Sequence, residues 1–434
     1  MCIMNYELCI NGNVKEFIKK HLNDDVNKLA LSKFPEEIDK QFVIRQIQAR
    51  QVLSKKLPSW AENDELIFPK KLSLEQCSSE LTAKYKASLS TKCQEKVGEN
   101  SCDLEDKKRI LVDLTGGMGV DTAFLSDNFD KTYYVEMQEE LCDIARHNFK
   151  ILNKNIEVIN DNAEHFLTTC GEIDCIYLDP ARRDEYGRKM VSLHDCSPDV
   201  AELQDILFEK AKTVMVKLSP MLDIDIVKKE LKNIKEIHVV AVKNECKEIL
   251  LEIQKLRNSA TQNLRILATD LREGWNFSFS EDEEQNAEWT LADKVGKYLY
   301  EPGVACMKAG CFKLLSQRFN IDKLHRNSHL YTSDVLLPDF PGRIFEVIDT
   351  FPFDKKTKKE ISSRCQQISS EDFSATKQLG NSATLKKASV AVRNFPLSAE
   401  ELRKNLGLQD GNDFYIFGTT MKGEKKIVIL TRKV

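Results

Sequence analysis

The stretch that decides the fold is VDLTGGMGVD, residues 112–121, in which three glycines follow an apolar run. The run predicts a buried strand, and the residues after the glycines predict a helix. Gly117 and Gly119 allow positive φ and close approach of the backbone to a ligand, and the helix that follows offers free N–H groups. Such a loop binds ligands at the carboxyl end of an α/β sheet. It is not a dinucleotide fingerprint, which needs glycine at Thr122, and it lacks the Gly-Lys-Ser/Thr of a P-loop.

Apolar strand patterns alternate with helical stretches on both sides of this loop. The patterns are RILVDL, KTYYVEM, IEVIND, IDCIYLD, TVMVKLS, EIHVVAV and KEILLEIQ. Long segments between the first four predict crossover helices and a parallel α/β sheet. The last two patterns, separated by KNECK, predict an antiparallel hairpin at the far edge of that sheet. LRILATDL at 264 is a candidate further strand, and the acidic SEDEEQNAE at 280–288 is interpreted as a linker.

Acidic residues end the first two predicted strands. Asp113 ends the first, where we expect it to meet a cationic α-amino group, and Thr115 follows it in the loop. Glu136 ends the second strand and precedes Met137. A carboxylate at this position can accept hydrogen bonds from both hydroxyls of a ribose. We therefore place all four residues in a predicted cofactor site.

The third predicted strand ends in INDNAEHF. It places Asp161 where an adenine amino group would lie, with Asn162 and Ala163 beneath the ring. Acids on three successive strand ends, with glycines between them, predict a site for a nucleoside that carries an amino acid. The alternative is an ordinary turn, which Asp-Asn pairs also make.

The quoted motifs resemble those of a known family. VDLTGGMG, YYVEM, NDNA and LDPARR together resemble class I S-adenosylmethionine-dependent methyltransferases. Further stretches resemble the bacterial members that have a C-terminal THUMP-like domain: EQCSSELTAKYKA, YLYEPGVACMKAG, and VRNFPLSAEEL with YIFGTT. The resemblance implies a Rossmann-like seven-stranded methyltransferase sheet, S-adenosylmethionine as cofactor, and a ferredoxin-like module before the THUMP-like one. THUMP domains as a class bind RNA, usually tRNA.

We divide the chain accordingly into four parts. They are an N-terminal helical region (1–95), a methyltransferase domain (96–285), a ferredoxin-like module (286–340) and a THUMP-like domain (341–434). In the first part, helical spacing from residue 73 predicts one helix with a capping box formed by Ser73 and Gln76. In the last part, Ser398 predicts the start of a helix and MKGE predicts a hairpin.

The stretch YLDPARR, residues 177–183, ends the fourth strand, where the methyl acceptor enters in this family. It resembles the [DN]-P-P-[YFW] motif of amino-group methyltransferases, in which the acid and a proline carbonyl hold the amine. Asp179 and Pro180 match that pattern and are predicted to be catalytic. Ala181 replaces the second proline, and Arg182 stands at the aromatic position, from which a guanidinium could stack on a base or contact a phosphate. Methylation of pyrimidine C5 is an alternative, for which Cys196 is the candidate nucleophile.

Lys217, in the apolar run TVMVKLSP of the neighbouring strand, is the remaining predicted catalytic residue. A lysine is costly to bury unless it is paired. We expect it to contact Asp179 or a nearby acceptor, or else to extend to the surface. For Arg182 and Arg183 the alternative is a surface salt bridge to an acid just after them.

Composition limits the class of protein. The chain has 434 residues, a net charge of −4 and thirteen cysteines without a CxxC pair. With no predicted signal peptide or membrane span, these features predict reduced thiols in a cytoplasmic protein without a structural metal.

Charge is unevenly distributed along the chain. Residues 340–434 contain 17 basic and 11 acidic residues, a net +6, which leaves about −10 elsewhere. We therefore predict that the C-terminal module binds RNA and that the enzyme methylates a nucleobase of tRNA or rRNA. The alternatives are a methyltransferase for a protein or small molecule, and a non-catalytic RNA-binding protein.

Overall fold

The computed structural model describes residues 11–95, 108–182, 193–254, 263–357, 359–361, 364, 387–411 and 414–434. The chain forms two compact units: Met1–Ile237 with Glu248–Gln262, and His238–Lys247 with Asn263–Val434. Among the described residues, no helix combines the length and apolar character needed to cross a membrane.

The first unit begins with helices, as predicted. They are α1 (Gly12–Lys20), α2 (Val26–Leu31), α3 (Lys40–Lys56), α4 (Pro58–Ala61), α5 (Lys71–Gln76) and α6 (Glu80–Glu95). Side chains of Asn11, Asp25 and Asp39 accept backbone N–H groups at the first three starts, which satisfies donors that a helix start leaves open. Apolar residues of α1 to α3 pack together with Ile144 of a later helix.

The single helix predicted from residue 73 is wrong. Ser73 lies within α5 instead of capping it, and α5 ends at Gln76. A second helix, α6, starts at Glu80, where the Ser79 hydroxyl accepts the N–H of Thr82. The three residues between the two helices therefore leave the helical path, because a serine cap offers the backbone an alternative to a continuous helix.

The rest of the first unit is a sheet with helices between its strands. The strands are β1 (Ile110–Asp113), β2 (Lys131–Glu136), β3 (Ile156–Asn160), β4 (Ile173–Leu178), β5 (Ala181–Arg182), β6 (Cys196–Ser197), β7 (Ala211–Leu218), β8 (Ile234–Val242) and β9 (Glu245–Gln254). The helices are α7 (Val120–Leu125), α8 (Glu139–Ile151), α9 (Ala163–Thr169), α10 (Val200–Lys210) and α11 (Ile224–Glu230).

The strand order is β3-β2-β1-β4-β7-β9-β8. The first five strands of this order are parallel, and β9 is antiparallel to β7. All seven predicted strands are present, and they form the predicted α/β sheet. Strands β5 and β6 form a separate two-stranded ribbon.

The glycine loop fits tightly against aromatic residues. A side chain at Gly116 would lie 2.2 Å from the Tyr134 ring, and one at Gly119 would lie 2.7 Å from the Phe149 ring. Gly119 also has φ +79°, a left-handed conformation that favours glycine. The loop therefore needs these glycines for packing and for its backbone path.

The second unit has a sheet of its own, in the order β13-β14-β12-β15-β18-β17-β16. Its strands are β12 (Tyr298–Pro302), β13 (Asp322–Lys323), β14 (Tyr331–Ser333), β15 (Gly342–Pro352), β16 (Ser389–Arg393), β17 (Tyr415–Met421) and β18 (Lys425–Lys433). Its helices are α12 (Glu281–Asn286), α13 (Val304–Ala309), α14 (Phe312–Phe319) and α15 (Ala399–Leu406). The predicted cap of α15 by Ser398 and the predicted β17–β18 hairpin are confirmed.

Two predictions for the second unit are wrong. The acidic 280–288 stretch is not a linker, because Ser280 and Glu283 form a capping box that starts helix α12. The β8–β9 hairpin is present but does not form the edge of the sheet, because the candidate strand in LRILATDL lies beside it. Within the second unit, the end of β8 lies beside β10 (Arg265–Asp270), which pairs with β11 (Trp275–Ser280). The buried Asp270 carboxylate accepts the N–H groups of the β8–β9 turn, which fixes this arrangement.

Candidate active site

A cleft opens at the carboxyl ends of β1 to β4 in the first unit. Ten residues predicted for the site line it: Asp113, Thr115, Gly117, Gly119, Glu136, Met137, Asp161, Asn162, Ala163 and Asp179. Helix α5 and the turn after it contribute Ser73, Gln76, Cys77 and Ser78 to the opposite wall. The predicted catalytic residues Pro180 and Lys217 do not belong to the lining, and the side chain of Arg182 lies outside the described part of the chain.

The carboxylate of Glu136 holds the glycine loop. It accepts the N–H of Gly117 at 2.9 Å with one oxygen and the N–H of Gln138 at 2.9 Å with the other. From below, the Tyr134 hydroxyl donates to the Gly117 carbonyl at 2.6 Å. Gly117 has φ +53°, a left-handed conformation that favours glycine, and it lines the cleft, so the loop presents bare backbone there.

Asp113 is buried beneath the loop. Its carboxylate accepts the Thr122 hydroxyl at 2.5 Å and the Thr115 N–H at 3.0 Å. Burial raises the pKa of Asp113 to about 7, although these donors oppose the change. The hydrogen bonds of Asp113 therefore stabilise the loop, and its carboxylate lies at the floor of the cleft.

The third strand end carries a polar turn. Asp161 accepts a hydrogen bond from His165 Nδ1 at 2.6 Å, and this bond lowers the pKa of Asp161. The Asn162 side chain accepts the His165 N–H at 2.7 Å and begins α9. Ala163 is buried beside them, whereas the Met137 side chain is 72% exposed at the rim. The Asp-Asn pair thus makes the turn that was the alternative interpretation, and both residues also face the cleft.

Asp179 and Lys217 form an ion pair at the edge of the cleft. Lys217 Nζ lies 2.5 Å from Asp179 Oδ2, which confirms the predicted contact. The Asp179 N–H also donates to the Thr115 hydroxyl at 2.6 Å, so the strand end is tied to the loop. Burial alone would lower the pKa of Lys217, but the carboxylates of Asp179, Asp121 and Glu248 raise it above its ordinary value.

A buried ionic cluster beneath the cleft was not predicted. The Lys86 ammonium, on α6, contacts both oxygens of Glu248 at 2.9 Å and one oxygen of Asp121 at 3.2 Å. Asp121 also accepts the Ser78 hydroxyl at 2.7 Å and the Tyr177 hydroxyl at 2.8 Å. We call these five residues the Lys86 cluster. Burial alone would raise the pKa of Asp121, but Lys86 and Lys217 hold it below its ordinary value.

One signal in the sequence could have indicated this cluster. Glu248 directly precedes the apolar run ILL of β9, and Lys217 interrupts the run of the neighbouring strand β7, so a charge buried in either strand needs a partner. Lys86 gives no such signal, because it stands in a polar helix among other lysines.

The remaining candidates lie elsewhere. The Cys196 side chain is 1% exposed, and Ser197 and Pro198 line the cleft next to it instead, which argues against the cysteine nucleophile. The backbone of Arg182 pairs with Cys196, while its side chain and all of 183–192 lie outside the described part of the chain. The salt bridge proposed for Arg183 lies there too.

His194, Asp199 and Glu202 place one possible metal-ligand atom each within 4.8 Å of one another. Asp199 already serves α10 by accepting two backbone N–H groups at its start, and it accepts a bond from His194 Nδ1 at 2.7 Å. These hydrogen bonds account for the arrangement of the three residues in the fold.

Comparison with known proteins agrees with this geometry. The crystal structure of a putative methyltransferase from Porphyromonas gingivalis W83 matches with a TM-score of 0.80 and 31% identity, and the match covers 100% of both chains. The chain belongs to this methyltransferase family. Family models also match a ferredoxin-like domain at 298–341 and a THUMP domain-like region at 364–433.

Two other solved structures match part of this methyltransferase. An rRNA methylase from Streptococcus thermophilus is 18% identical with a TM-score of 0.29, over 39% of this chain and 96% of its own. A putative methyltransferase from Streptococcus mutans in complex with SAH is 19% identical with a TM-score of 0.27, over 35% of this chain and 90% of its own. No curated protein matches the sequence significantly.

Proposed function

We propose that this protein uses S-adenosylmethionine to methylate RNA. The observation that carries the proposal is the cleft, in which a bare glycine loop meets carboxylates from successive strand ends. The glycine loop lets the cofactor approach the backbone closely. Acids around the loop suit a ligand that has ribose hydroxyls, an adenine amino group and a positive charge.

Each part of the cofactor has a proposed partner in the cleft. Glu136 would hold the ribose hydroxyls, since its carboxylate already lies against the loop. Asp161 would accept the adenine amino group, with Asn162 and Ala163 under the ring and the exposed Met137 covering its edge. When bound, the cofactor supplies a methyl group that is already activated on a sulfonium.

The amino acid part of the cofactor would lie by β1. Asp113, at the floor of the cleft, would face the α-amino group, and Thr115 would fix the loop next to it. Asp179 would position the acceptor at the other side of the loop. Alignment of donor and acceptor supplies much of the rate in such a transfer.

RNA is the proposed substrate because of the second unit. A THUMP domain-like region occupies residues 364–433, and the segment from 340 has a net charge of +6. Lys355, Lys356 and Lys359 are exposed in its described part, and Lys358 lies outside the described residues. Which atom of the RNA accepts the methyl group depends on the surroundings of Asp179.

Cofactor binding is tested by thermal unfolding with S-adenosylmethionine or its demethylated product. We expect both to raise the melting temperature of the wild type in a concentration-dependent way. Glu136→Gln should lose most of this response, and Glu157→Gln, an exposed acid on β3, should keep it. Circular dichroism checks that both variants fold. An unchanged response in a folded Glu136→Gln protein would contradict the assignment.

RNA binding is tested with bulk tRNA over a salt series. Changing Lys355, Lys356, Lys358 and Lys359 to Gln should weaken binding and flatten its salt dependence, because phosphate contacts release counterions. The control variant changes three exposed lysines of the N-terminal region to Gln, which alters the net charge by a similar amount: Lys19, Lys20 and Lys33. Equal weakening by both variants would favour non-specific attraction, and methyl transfer into protein fractions would favour a protein substrate.

A further inference from the structure

The charged groups at and beneath Asp179 are arranged in two layers. The lower layer is the Lys86 cluster, in which the Lys86 side chain is 0% exposed and that of Glu248 is 3% exposed. The upper layer is the pair of Lys217 and Asp179, whose side chains are 13% and 33% exposed. Asp179 lines the cleft, and Lys217 contacts it from the neighbouring strand.

Residues in the described part of the chain satisfy the upper pair only partly. Within the described residues, Lys217 Nζ has one hydrogen-bond acceptor, Asp179 Oδ2, although an ammonium has three donors. The second oxygen of Asp179 has no donor from that part of the chain. With respect to the described residues, a group that enters the cleft at Asp179 therefore meets an open carboxylate oxygen and an ammonium side by side.

This combination suits some acceptor atoms and not others. An amino group on a base has two N–H groups and one lone pair, and an ammonium that donates to that lone pair blocks the nucleophile. A hydroxyl has one O–H and two lone pairs. It can donate to Asp179 and accept from Lys217, and it still has a lone pair for the methyl carbon.

We propose that the acceptor is a hydroxyl group, in RNA the ribose 2′-hydroxyl, held between Asp179 and Lys217. This inference rests on the proposed function, and it replaces the nucleobase that the sequence motif predicted. A new bond joins the acceptor oxygen to the methyl carbon, and the bond between that carbon and the sulfur of a methylsulfonium breaks. The sulfur keeps the electron pair. The hydroxyl proton passes to the Asp179 carboxylate and then to water.

The Lys86 cluster has a positioning role in this scheme. Its two carboxylates, Asp121 and Glu248, act on Lys217 electrostatically and favour its charged form. Its Ser78 also connects the turn after α5 to the glycine loop helix through Asp121. The cluster thus keeps the Lys217 ammonium charged and holds the turn after α5 against the glycine loop helix.

The first experiment identifies the methylated atom. RNA from cells that lack this gene is incubated with the purified full chain and S-adenosylmethionine that carries a deuterated methyl group. The RNA is then digested to nucleosides for mass spectrometry. Label on the ribose fragment is the expected result. Label on the base would overturn the hydroxyl inference while leaving RNA methylation intact, whereas no label in RNA would overturn both.

The second experiment tests the lysine with a matched control. Lys217 and Lys212 lie on the same strand, and each pairs at 2.5 Å with an aspartate: Lys212 with Asp174 on β4, and Lys217 with Asp179 just after β4. We expect Lys217→Met to lower transfer by about 100-fold with little change in affinity for the demethylated cofactor. Lys212→Met should transfer at the wild-type rate. Equal rates in Lys217→Met and the wild type would overturn the inference.

A binding measurement separates contact with the hydroxyl from a merely structural role. Once the labelled site is known, an RNA oligonucleotide is made with ribose or with 2′-deoxyribose at that nucleotide, and both are titrated with the demethylated cofactor present. The wild type should prefer ribose by about tenfold, and Lys217→Met should lose this preference. Lys217→Arg, which keeps the charge, serves if the methionine variant does not fold, and should retain part of the preference. A preference of the same size in every variant would contradict the contact.

Discussion

Both units of the protein bury charge, but they do so in different ways. In the first unit, both the lysine and the two carboxylates of the Lys86 cluster are buried, directly beneath the cleft. In the second unit, Glu301 on β12 is 2% exposed and pairs with Arg343 and Arg393, which are 32% and 39% exposed. The partners of Glu301 are therefore more open to water than those of Lys86, whose side chains are 10% exposed at Asp121 and 3% exposed at Glu248.

The difference indicates what each arrangement is for. A fully buried ion network is seldom the most stable filling of a core, since apolar residues of similar size often do as well or better. Its position beneath Asp179 and Lys217 fits the positioning role that we propose for it. The Glu301 arrangement joins β12, β15 and β16 within one sheet, and it fits a structural role at lower cost because the arginines stay hydrated.

The largest effect is expected from Lys86→Met. It leaves Asp121 and Glu248 buried without their cation, so we expect the free energy of unfolding to fall by about 3–5 kcal/mol. Lys84→Met is the control, because Lys84 lies on the same helix and forms an exposed i,i+4 pair with Glu80. Its effect should stay within about 0.5 kcal/mol. Urea denaturation measures both, and similar losses in the two variants would mean that the cluster is not a buried network.

A smaller loss is expected from Glu301→Gln. The amide can still accept one hydrogen bond, and water can solvate the freed guanidinium groups, so the loss should be about 2 kcal/mol. Glu346→Gln, an exposed acid on β15, is the control and should change little. If Glu301→Gln proves as costly as Lys86→Met, exposure of the partners does not govern the difference between the two units.

The sequence predicted the sheet of the first unit well, because buried parallel strands appear as apolar runs and the glycine loop follows the first of them. It also predicted the pairing of Lys217 with Asp179, since a charge inside an apolar run needs a partner. It did not predict the Lys86 cluster. That cluster joins residues from four distant parts of the chain, and a lysine in a polar helix looks the same whether its side chain turns inward or outward.

The two wrong predictions about helices have a common cause. At residue 73 the apolar spacing is continuous, yet Ser79 caps a second helix and the path breaks before it. At 280–288 the composition is that of a solvated linker, yet Ser280 caps a helix whose first turn carries four acids. Acids at a helix start are favoured by the helix dipole. In both places a serine cap determined where the helix starts. The apolar periodicity at residue 73 and the acidic composition at 280–288 did not.

Asp113 offers a further test of the comparison, because it is a buried acid whose hydrogen-bond donors among the described residues are Thr115 and Thr122 and not a cation. Its pKa in the folded protein is about 7, raised by burial, whereas in the unfolded chain it is near the ordinary 3.8. Between these values the unfolded chain releases the proton and the folded protein keeps it, so the stability that Asp113 contributes is lost as pH rises from about 4 to 7. Asp113→Asn removes this titration. The stability of the variant relative to the wild type should therefore improve by about 2 kcal/mol between pH 5 and pH 8. Denaturation at the two pH values measures the difference in free energy of unfolding between the variant and the wild type. If this difference does not change with pH, the Asp113 carboxylate is solvated as well as the partners of Glu301 are, and burial does not raise its pKa.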